Sequence, residues 1–300
     1  MDSRKTLRRA LTTGPAIVAP GAFDALSARI VETSGFQAVY ATGGGISRSA
    51  GYPDIGLLTL TEVVERLRSI VEAVTIPVIA DADTGYGNAM NVMRAIRAFE
   101  DAGVAALHLE DQVTPKRCGH YEGKEVVPCE EMVQKLRAAL DVRRDPDLLI
   151  IARTDARAPL GLEEAIRRAN AYAATGVDVV FVEAPRSHEE LAEIARRISA
   201  PLLVNMFEGG KTPLVPLADL EAMGYRIVII PSDLQRAAIR AMQEVAATIR
   251  RDGDSRALSH RLASFQEREG LVGLDRMRAL EARYLRGEAA SSGKVGGKPA

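Results

Sequence analysis

Two aspartates, one residue apart, stand where an apolar run of the sequence ends. Asp81 and Asp83 follow the segment 76–80 and precede the turn-forming residues TGYG. This pattern is typical of a buried strand that leads into a loop, and alternation along a strand predicts both carboxylates on one face. Such a pair needs a cation, and Mg²⁺, or Mn²⁺, suits carboxylates with no His or Cys ligand beside them. The alternative is that the aspartates cap the next helix.

A cysteine in a long polar loop is the second feature that predicts chemistry. The loop reads DQVTPKRCGHYEGKEVVP, and in it Cys118 has Lys116, Arg117 and His120 as neighbours. Cationic neighbours lower the pKa of a thiol, which makes it able to donate or accept a proton. A long polar loop with glycines is typical of a catalytic lid. The alternative is an incidental surface thiol, which is our interpretation of Cys129.

The elements that must position these residues alternate between strand and helix. Strand-like runs occur at 16–19, 38–42, 77–81, 105–110, 148–154, 179–184, 201–205 and 226–232. Amphipathic patterns lie between them, two of which begin with the capping boxes Thr59-x-x-Glu62 and Ser187-x-x-Glu190. Eight such units predict a closed (β/α)₈ TIM-type barrel. An open Rossmann sheet is disfavoured because no GxGxxG follows the first strand.

Polar residues collect where the predicted strands end, which is where the active site of a (β/α)₈ barrel lies. They are Tyr40, Thr42, Asp81, Asp83, His108, Glu110, Arg153, Asp155, Glu183, Asn205 and Ser232, with Arg236 just beyond. One of them alone, such as His108, could be a hydrogen-bonded core residue, but structural polar residues would scatter along the strands. No lysine lies within a predicted strand, which argues against a Schiff-base aldolase and favours a metal-assisted reaction.

Composition excludes several classes of protein. The chain is 47% hydrophobic and 26% charged with a net charge of −1, so nucleic acid is an unexpected partner. We find no 18-residue apolar run and no apolar core of a secretory signal, and we therefore expect neither a membrane span nor secretion. The expected location is the cytoplasm, where the two cysteines would stay reduced.

Three segments are predicted along the chain. Residues 1–254 form the catalytic barrel, and residues 255–286 form amphipathic helices that lack a core of their own and should pack on a neighbouring subunit. Residues 287–300 are small, polar and glycine-rich, and we expect them to be disordered.

Successive motifs resemble those of the isocitrate lyase/phosphoenolpyruvate mutase superfamily over roughly residues 15–285. They are YATGGG, YPDIGLLT, DADTGYG, HLEDQ, PKRCGH, ARTDA, FVEA and NMFEGGKTP. The resemblance implies a (β/α)₈ barrel whose eighth helix is swapped between subunits of a homotetramer. It implies Mg²⁺ held through Asp81 and Asp83, with Glu110 in the outer shell.

The resemblance also implies roles for other residues of this chain. An oxo-acid substrate group would lie on the metal, on Thr42, Gly43 and Gly44, and on Arg153. Further substrate contacts are implied at Asp54, His108, Gly119, Glu183, Asn205 and Arg236. Cys118 would protonate an enolate within the basic group of Lys116, Arg117 and His120, and Tyr40 or a base it contacts would take a hydroxyl proton.

The cysteine loop is similar to that of the lyase branches, which implies cleavage of a carbon–carbon bond in a 2-hydroxy di- or tricarboxylate. The loop 208–213 and GLLT at 56–59 resemble the branch that cleaves 2-alkylmalates and 2,3-dimethylmalate to pyruvate and a carboxylate. Methylisocitrate lyases are the first alternative, although Thr42 stands for their serine. Oxaloacetate decarboxylase, phosphonate mutase or hydrolase, and a non-catalytic metabolite-binding barrel are the others.

Overall fold

A closed barrel of parallel strands forms the centre of the computed structural model, which describes residues 2–119 and 121–285. Its strands are Ile17–Ala22 (β1), Val39–Ala41 (β2), Val78–Asp81 (β3), Ala106–Glu110 (β4), Leu149–Thr154 (β5), Val179–Val182 (β6), Leu202–Asn205 (β7) and Tyr225–Ile230 (β8). Each strand pairs with the next in sequence, and β8 pairs with β1 to close the sheet. All eight predicted strands are therefore confirmed, together with the (β/α)₈ fold.

Helices connect these strands. The described helices are Ser3–Thr12 (α1), Ala25–Thr33 (α2), Gly43–Ser49 (α3), Leu60–Ala73 (α4), Ala89–Asp101 (α5), Cys129–Val142 (α6), Arg157–Leu160 (α7), Leu162–Ala173 (α8), His188–Arg197 (α9), Leu217–Met223 (α10), Asp233–Asp252 (α11), Phe265–Leu271 (α12) and Leu274–Leu285 (α13), with a 3₁₀ helix at Arg256–Arg261.

The predicted capping boxes differ in outcome. At the start of α4, the Thr59 hydroxyl accepts from the Glu62 N–H, and the Glu62 carboxylate accepts from the Thr59 N–H in return. At α9, Ser187 accepts from the Glu190 N–H, but the Glu190 carboxylate binds the Arg157 guanidinium instead of Ser187. The second helix therefore has the predicted N-cap without the reciprocal bond.

Side-chain alternation divides the core into two layers. Ile79, Ile151 and Phe181 belong to a cluster inside the barrel, whereas their neighbours Ala80 and Ile150 belong to the larger cluster between the strands and the helices. Because both faces of each strand are covered, the strands read as continuous apolar runs rather than as alternating ones.

The N-terminal helix α1 was not predicted from the sequence. Leu7 and Leu11 are buried against residues of the barrel interior, and burial of each side chain contributes about 1.5–3 kcal/mol. The Arg4 guanidinium donates to the carbonyl of Val104, just before β4, at 2.9 Å. The basic N-terminus therefore anchors a helix at the amino end of the strands.

The described residues up to Ala247 form one compact unit, and the described residues from Thr248 to Leu285 form a second. In the second unit, the described side chains of α12 and α13 include no buried residue. Its exposed apolar residues include Phe265, Met277, Leu280, Tyr284 and Leu285. The predicted tail, residues 287–300, lies outside the described residues. No described helix is both long and apolar enough to cross a membrane.

We expect the full chain to form an oligomer and deletion of residues 255–300 to divide it into smaller species, because exposed apolar helices without a core of their own are typical of subunit contacts. Light scattering on the full chain and on a chain ending at Asp254 measures the change. If the shortened chain forms an assembly with as many subunits as the full chain and is equally active, the prediction that these helices hold subunits together is contradicted.

Candidate active site

A cavity of about 330 Å³ lies at the carboxyl ends of the strands. The predicted site residues that line it are Tyr40, Thr42, Gly44, Asp54, Asp81, Lys116, Arg117, Cys118, Gly119, Arg153, Glu183, Asn205 and Arg236. Gly43, Asp83, His108 and Glu110 lie behind these residues and contact several of them. His120 lies outside the described residues. The structure thus brings together the residues that the sequence scatters over some 200 positions.

The two aspartates converge by a different route from the predicted one. β3 ends at Asp81, and Asp83 lies beyond the strand with a φ of +47°, in the left-handed region that non-glycine residues seldom occupy. The Asp83 N–H donates to the Asp81 carboxylate at 3.0 Å. A turn, rather than strand alternation, therefore sets the direction of the second carboxylate.

Charge and burial separate the pKa values of these two groups. Burial raises the pKa of Asp83 to about 6, and the charge of Asp81 adds to the rise while Lys116 opposes it. Burial also opposes the ionisation of Asp81, but the charges of His108, Lys116 and Arg153 lower its pKa to about 2. The negative charge of Asp81 and Asp83 together is therefore not fully compensated by the cationic side chains around them.

A divalent cation fits this surplus of negative charge. Burial raises the pKa of Glu110, and among the described residues its Oε1 atom has no hydrogen-bond partner. In the described part of the chain, no group of three or more His, Cys, Asp or Glu side chains is close enough to hold a metal alone. Water or substrate oxygens would have to complete the shell, as is usual for Mg²⁺.

The glycines after β2 allow helix α3 to approach the aspartates. Thr42 caps α3, and its hydroxyl accepts from the Gly45 N–H at 3.3 Å. A Cβ atom on Gly43 would lie 2.6 Å from the Asp81 carboxylate, and one on Gly44 would lie 2.8 Å from that of Asp54. Backbone N–H groups can therefore face a bound anion at close range only because these residues lack side chains.

Tyr40 and His108 form a buried pair beside Asp81. The Tyr40 hydroxyl and His108 Nε2 are 2.8 Å apart, and His108 Nε2 lies 3.7 Å from the Asp81 carboxylate. Burial, with the charge of Asp81, raises the pKa of Tyr40 well above 10. Burial lowers the pKa of His108 to about 4. At neutral pH both groups are uncharged, so the phenol proton can pass to His108 without leaving a phenolate only if Tyr40 takes a proton from another group at the same time.

Arg153 is surrounded by three carboxylates. Its guanidinium lies 2.8 Å from Asp155, 3.2 Å from Glu110 and 3.4 Å from Glu183. Burial opposes its charge, but the three carboxylates raise the pKa of Arg153 further above its ordinary value. The Asn205 amide donates to Glu183 at 3.4 Å. Arg153 is therefore a fixed cation at one wall of the cavity.

The loop between β4 and α6, residues 111–128, is here called the lid. Cys118 belongs to this loop and lines the cavity. The Lys116 ammonium reaches into the barrel, 2.5 Å from Asp54 and 2.8 Å from Asp83. The Cys118 N–H donates to the carbonyl of Asp54 at 3.1 Å. Cys129 instead begins α6, and the two thiols are not joined in a disulfide. The structure thus separates the two cysteines as predicted, one at the cavity and one away from it.

Several residues of the site were missed by sequence reasoning. Arg48, Gln235 and Ile239 line the cavity from helices, without a motif that distinguishes them, and Phe207 lies in the motif NMFEGGKTP but was given no role. Lys124 was given no role from the sequence, yet it is buried and lies 2.7 Å from Asp155. The signal that could have found it is a lysine six residues after the cysteine of a predicted lid.

The sequence profile of the phosphoenolpyruvate phosphomutase family matches residues 7–250 of this chain. This chain belongs to the isocitrate lyase/phosphoenolpyruvate mutase superfamily. The 2,3-dimethylmalate lyase of Eubacterium barkeri is 47% identical, over 96% of this chain and 100% of that protein. A 2-methylisocitrate lyase of Aeropyrum pernix is 43% identical, over 89% of this chain and 86% of its own.

Solved structures of superfamily members agree with the fold. A crystal structure of 2,3-dimethylmalate lyase has a TM-score of 0.90 at 38% identity and covers 99% of both chains. A phosphonopyruvate hydrolase in complex with oxalate and Mg²⁺ has a TM-score of 0.87 at 36% identity, over 95% of this chain and 100% of that one. With lyases among its relatives, this protein is an enzyme of the carbon–carbon lyase class.

We expect Gly43→Ala to weaken cation binding, because its Cβ would displace the Asp81 carboxylate. Titration with Mn²⁺ by calorimetry measures the affinity, and thermal unfolding shows whether the fold is kept. Gly270→Ala is the matched control, because nothing lies within 4 Å of a Cβ atom at that position. Equal Mn²⁺ affinity in Gly43→Ala and in the parent protein would contradict this prediction.

Proposed function

We propose that this protein is a Mg²⁺-dependent lyase that cleaves the C2–C3 bond of a 2-alkylmalate such as 2,3-dimethylmalate, giving pyruvate and a carboxylate. The observation that carries the proposal is a thiol on a lid that faces a cavity whose other walls hold a paired aspartate site and a buried arginine. The choice of substrate is supported by the 2,3-dimethylmalate lyase that is 47% identical over 96% of this chain.

Asp81 and Asp83 would hold the metal, with Glu110 in the outer shell. When bound, Mg²⁺ would neutralise negative charge that develops on the oxo-acid oxygens. Arg153 and the N–H groups at Gly43 and Gly44 would bind the same end of the substrate and stabilise that charge in the transition state. Mn²⁺ is the expected substitute. Support for the choice of Mg²⁺ comes from the oxygen ligands and from the Mg²⁺ in the related phosphonopyruvate hydrolase.

The reaction begins with removal of the proton from the C2 hydroxyl. Tyr40 is placed to accept it only if its own proton passes to His108, because burial keeps the phenol protonated. As the C2–C3 bond breaks, C2 becomes the carbonyl of the oxo acid, and the electron pair remains on C3 as the enolate of the second product.

Cys118 then donates its proton to C3. The cationic side chains of Lys116 and Arg117, which also line the cavity, stabilise the negative charge that develops on the leaving carboxylate. Lys116 is not a Schiff-base nucleophile: the charges of Asp83, Asp81 and Asp54 outweigh its burial and raise its pKa, so its amine stays protonated. In this proposal His120 belongs to the basic group of the lid. The substrate contacts remain those implied by the resemblance, at Asp54, Gly119, Glu183 and Asn205.

Apolar side chains in the cavity support an alkyl-substituted substrate. Phe207 and Ile239 lie on the wall near Arg236, whose guanidinium donates to the carbonyl of Glu208 at 2.5 Å. The second candidate is 2-methylisocitrate, and its support is that Arg48 and Arg236 both line the cavity, where either could bind a third carboxylate. The volume of about 330 Å³ is at the small end of ligand sites, as a small acid requires.

A substrate panel tests the proposed function. The purified protein with Mg²⁺ is offered 2,3-dimethylmalate, 2-methylmalate, 2-methylisocitrate, oxaloacetate and phosphonopyruvate, and pyruvate is followed with lactate dehydrogenase and NADH. Oxaloacetate, whose decarboxylation also yields pyruvate, is followed by its own absorbance. Highest kcat/KM on a 2-alkylmalate is expected. Highest kcat/KM on 2-methylisocitrate would favour the second candidate, and turnover of only the last two would refute both lyase assignments.

We also propose a homotetramer in the cytoplasm. The exposed apolar side chains of α12 and α13 support an assembly. A reducing compartment is supported by the need for a thiol at Cys118, since an oxidised cysteine cannot donate a proton.

We expect Cys118→Ser to lose cleavage by roughly 10²–10⁴-fold, the range for removal of a general acid, while oxalate binds about as well as to the parent. Serine is nearly the same size as cysteine but far less acidic. Turnover and oxalate affinity are measured for this variant and for the matched control Cys129→Ser, which should behave as the parent. A fully active Cys118→Ser enzyme would remove the thiol from the reaction and favour a decarboxylase or mutase.

Removal of the metal should abolish turnover reversibly. EDTA followed by added Mg²⁺ or Mn²⁺ should restore the parent protein, whereas Asp83→Ala should stay inactive at all metal concentrations and bind Mn²⁺ weakly by calorimetry. Circular dichroism confirms that the variant is folded. Normal turnover of Asp83→Ala after EDTA treatment would show that the aspartate pair does not hold a required cation.

A further inference from the structure

A buried ion pair between Lys124 and Asp155 joins the lid to the wall of the cavity, and neither residue has a role in the proposed reaction. The Lys124 ammonium donates to the carbonyl of Gly119 at 2.6 Å and to the Asp155 carboxylate at 2.7 Å. Both side chains are at most 1% exposed. Gly119 directly follows Cys118, so a single buried ammonium connects the neighbour of the proposed acid to β5 and the residues after it.

Asp155 is itself held firmly from several sides. Its two oxygens accept from the Arg153 guanidinium at 2.8 and 3.1 Å, and its N–H donates to the Asp111 carboxylate at 2.8 Å. Asp111 in turn accepts from Thr154 and Tyr172, both at 2.8 Å. The carboxylate that receives Lys124 is therefore part of a rigid buried network rather than a mobile surface group.

The lid fits tightly at this point. A Cβ atom on Gly119 would lie 2.5 Å from the Arg153 guanidinium and 2.8 Å from the Glu183 carboxyl carbon. Backbone of the lid thus lies directly on the charged pair that lines the cavity, and only a glycine allows the approach. The position of Cys118 is fixed by this contact on its carboxyl side and by the bond from its N–H to Asp54 on the other.

We propose that Lys124 is a positioning residue, which through Asp155 seats the lid on Arg153 and thereby holds the Cys118 thiol at the cavity. Because Asp155 binds both Lys124 and the arginine that contacts substrate, the seated lid and the orientation of Arg153 depend on one carboxylate. This inference rests on the proposed function for the role of the thiol, but the seating itself can be measured without turnover.

The test uses the rate at which iodoacetamide alkylates Cys118 in the full chain with Mg²⁺ and oxalate present, read by mass spectrometry of the peptide. Lys124→Met keeps the length of the side chain and removes its donors. We expect alkylation about tenfold faster than in the parent, equivalent to about 1.4 kcal/mol, which is close to the lower end of the range for one charge-assisted hydrogen bond. Alkylation of Cys129 in the same sample should not change.

Lys135→Met is the matched control, since Lys135 is also a buried lysine but contacts Glu131 and the carbonyl of Thr84 rather than the lid. Both variants are expected to unfold at a lower temperature, and only Lys124→Met should expose the Cys118 thiol. If both leave the alkylation rate of Cys118 at the parent value, or both raise it equally, the proposal is overturned.

Asp155→Asn supplies a second, independent measurement. It should raise the alkylation rate as Lys124→Met does, and the two increases should be less than additive in the double variant, because both changes break the contact between Lys124 and Asp155. Additive increases would overturn the proposal. With an active substrate, Lys124→Met should lower kcat by about 10²-fold with little change in KM, as a misplaced catalytic group does. If no substrate is turned over, the proposed function fails while the alkylation result still decides the role of Lys124.

Discussion

The buried carboxylates at the carboxyl end of the barrel are compensated by cations from two different parts of the chain. Arg153 belongs to β5 and is therefore a fixed part of the barrel, whereas Lys116 and Lys124 belong to the lid. An uncompensated buried charge costs several kcal/mol, and Asp83 faces Lys116 of the lid, so burial of the Asp83 carboxylate in its charged form requires that the lid lies on it or that another cation is present. The position of the lid, the binding of the proposed cation and the protonation of the buried carboxylates therefore depend on one another, because each changes the net charge of the site.

The fold and the identity of many site residues could be predicted from the sequence because both depend on local patterns. Apolar runs marked the strands, a Thr59 capping box marked the start of α4, and polar residues at the ends of strands marked the site. The closed topology then brings the ends of all strands together, so that positions far apart in sequence meet without any knowledge of individual contacts.

What the sequence could not predict depends on contacts between distant residues. Lys124 is surrounded by polar residues in the sequence, and only the tertiary structure places it against Asp155. Aspartate enters the left-handed region more often than most non-glycine residues, but that Asp83 rather than Asp81 does so depends on the turn after β3. Likewise, α1 is amphipathic but short and basic, and its anchoring to Val104 becomes evident only when the barrel is closed.

The placement of the thiol on a lid has a stereochemical consequence. Cys118 belongs to the lid and lines a cavity at the strand ends, so in the proposed reaction an enolate held between the two would offer the thiol only one of its two faces. In heavy water, a three-carbon acid released by such an enzyme would carry its new deuterium in a single configuration, and racemic labelling would mean that the enolate had left the cavity before it was quenched.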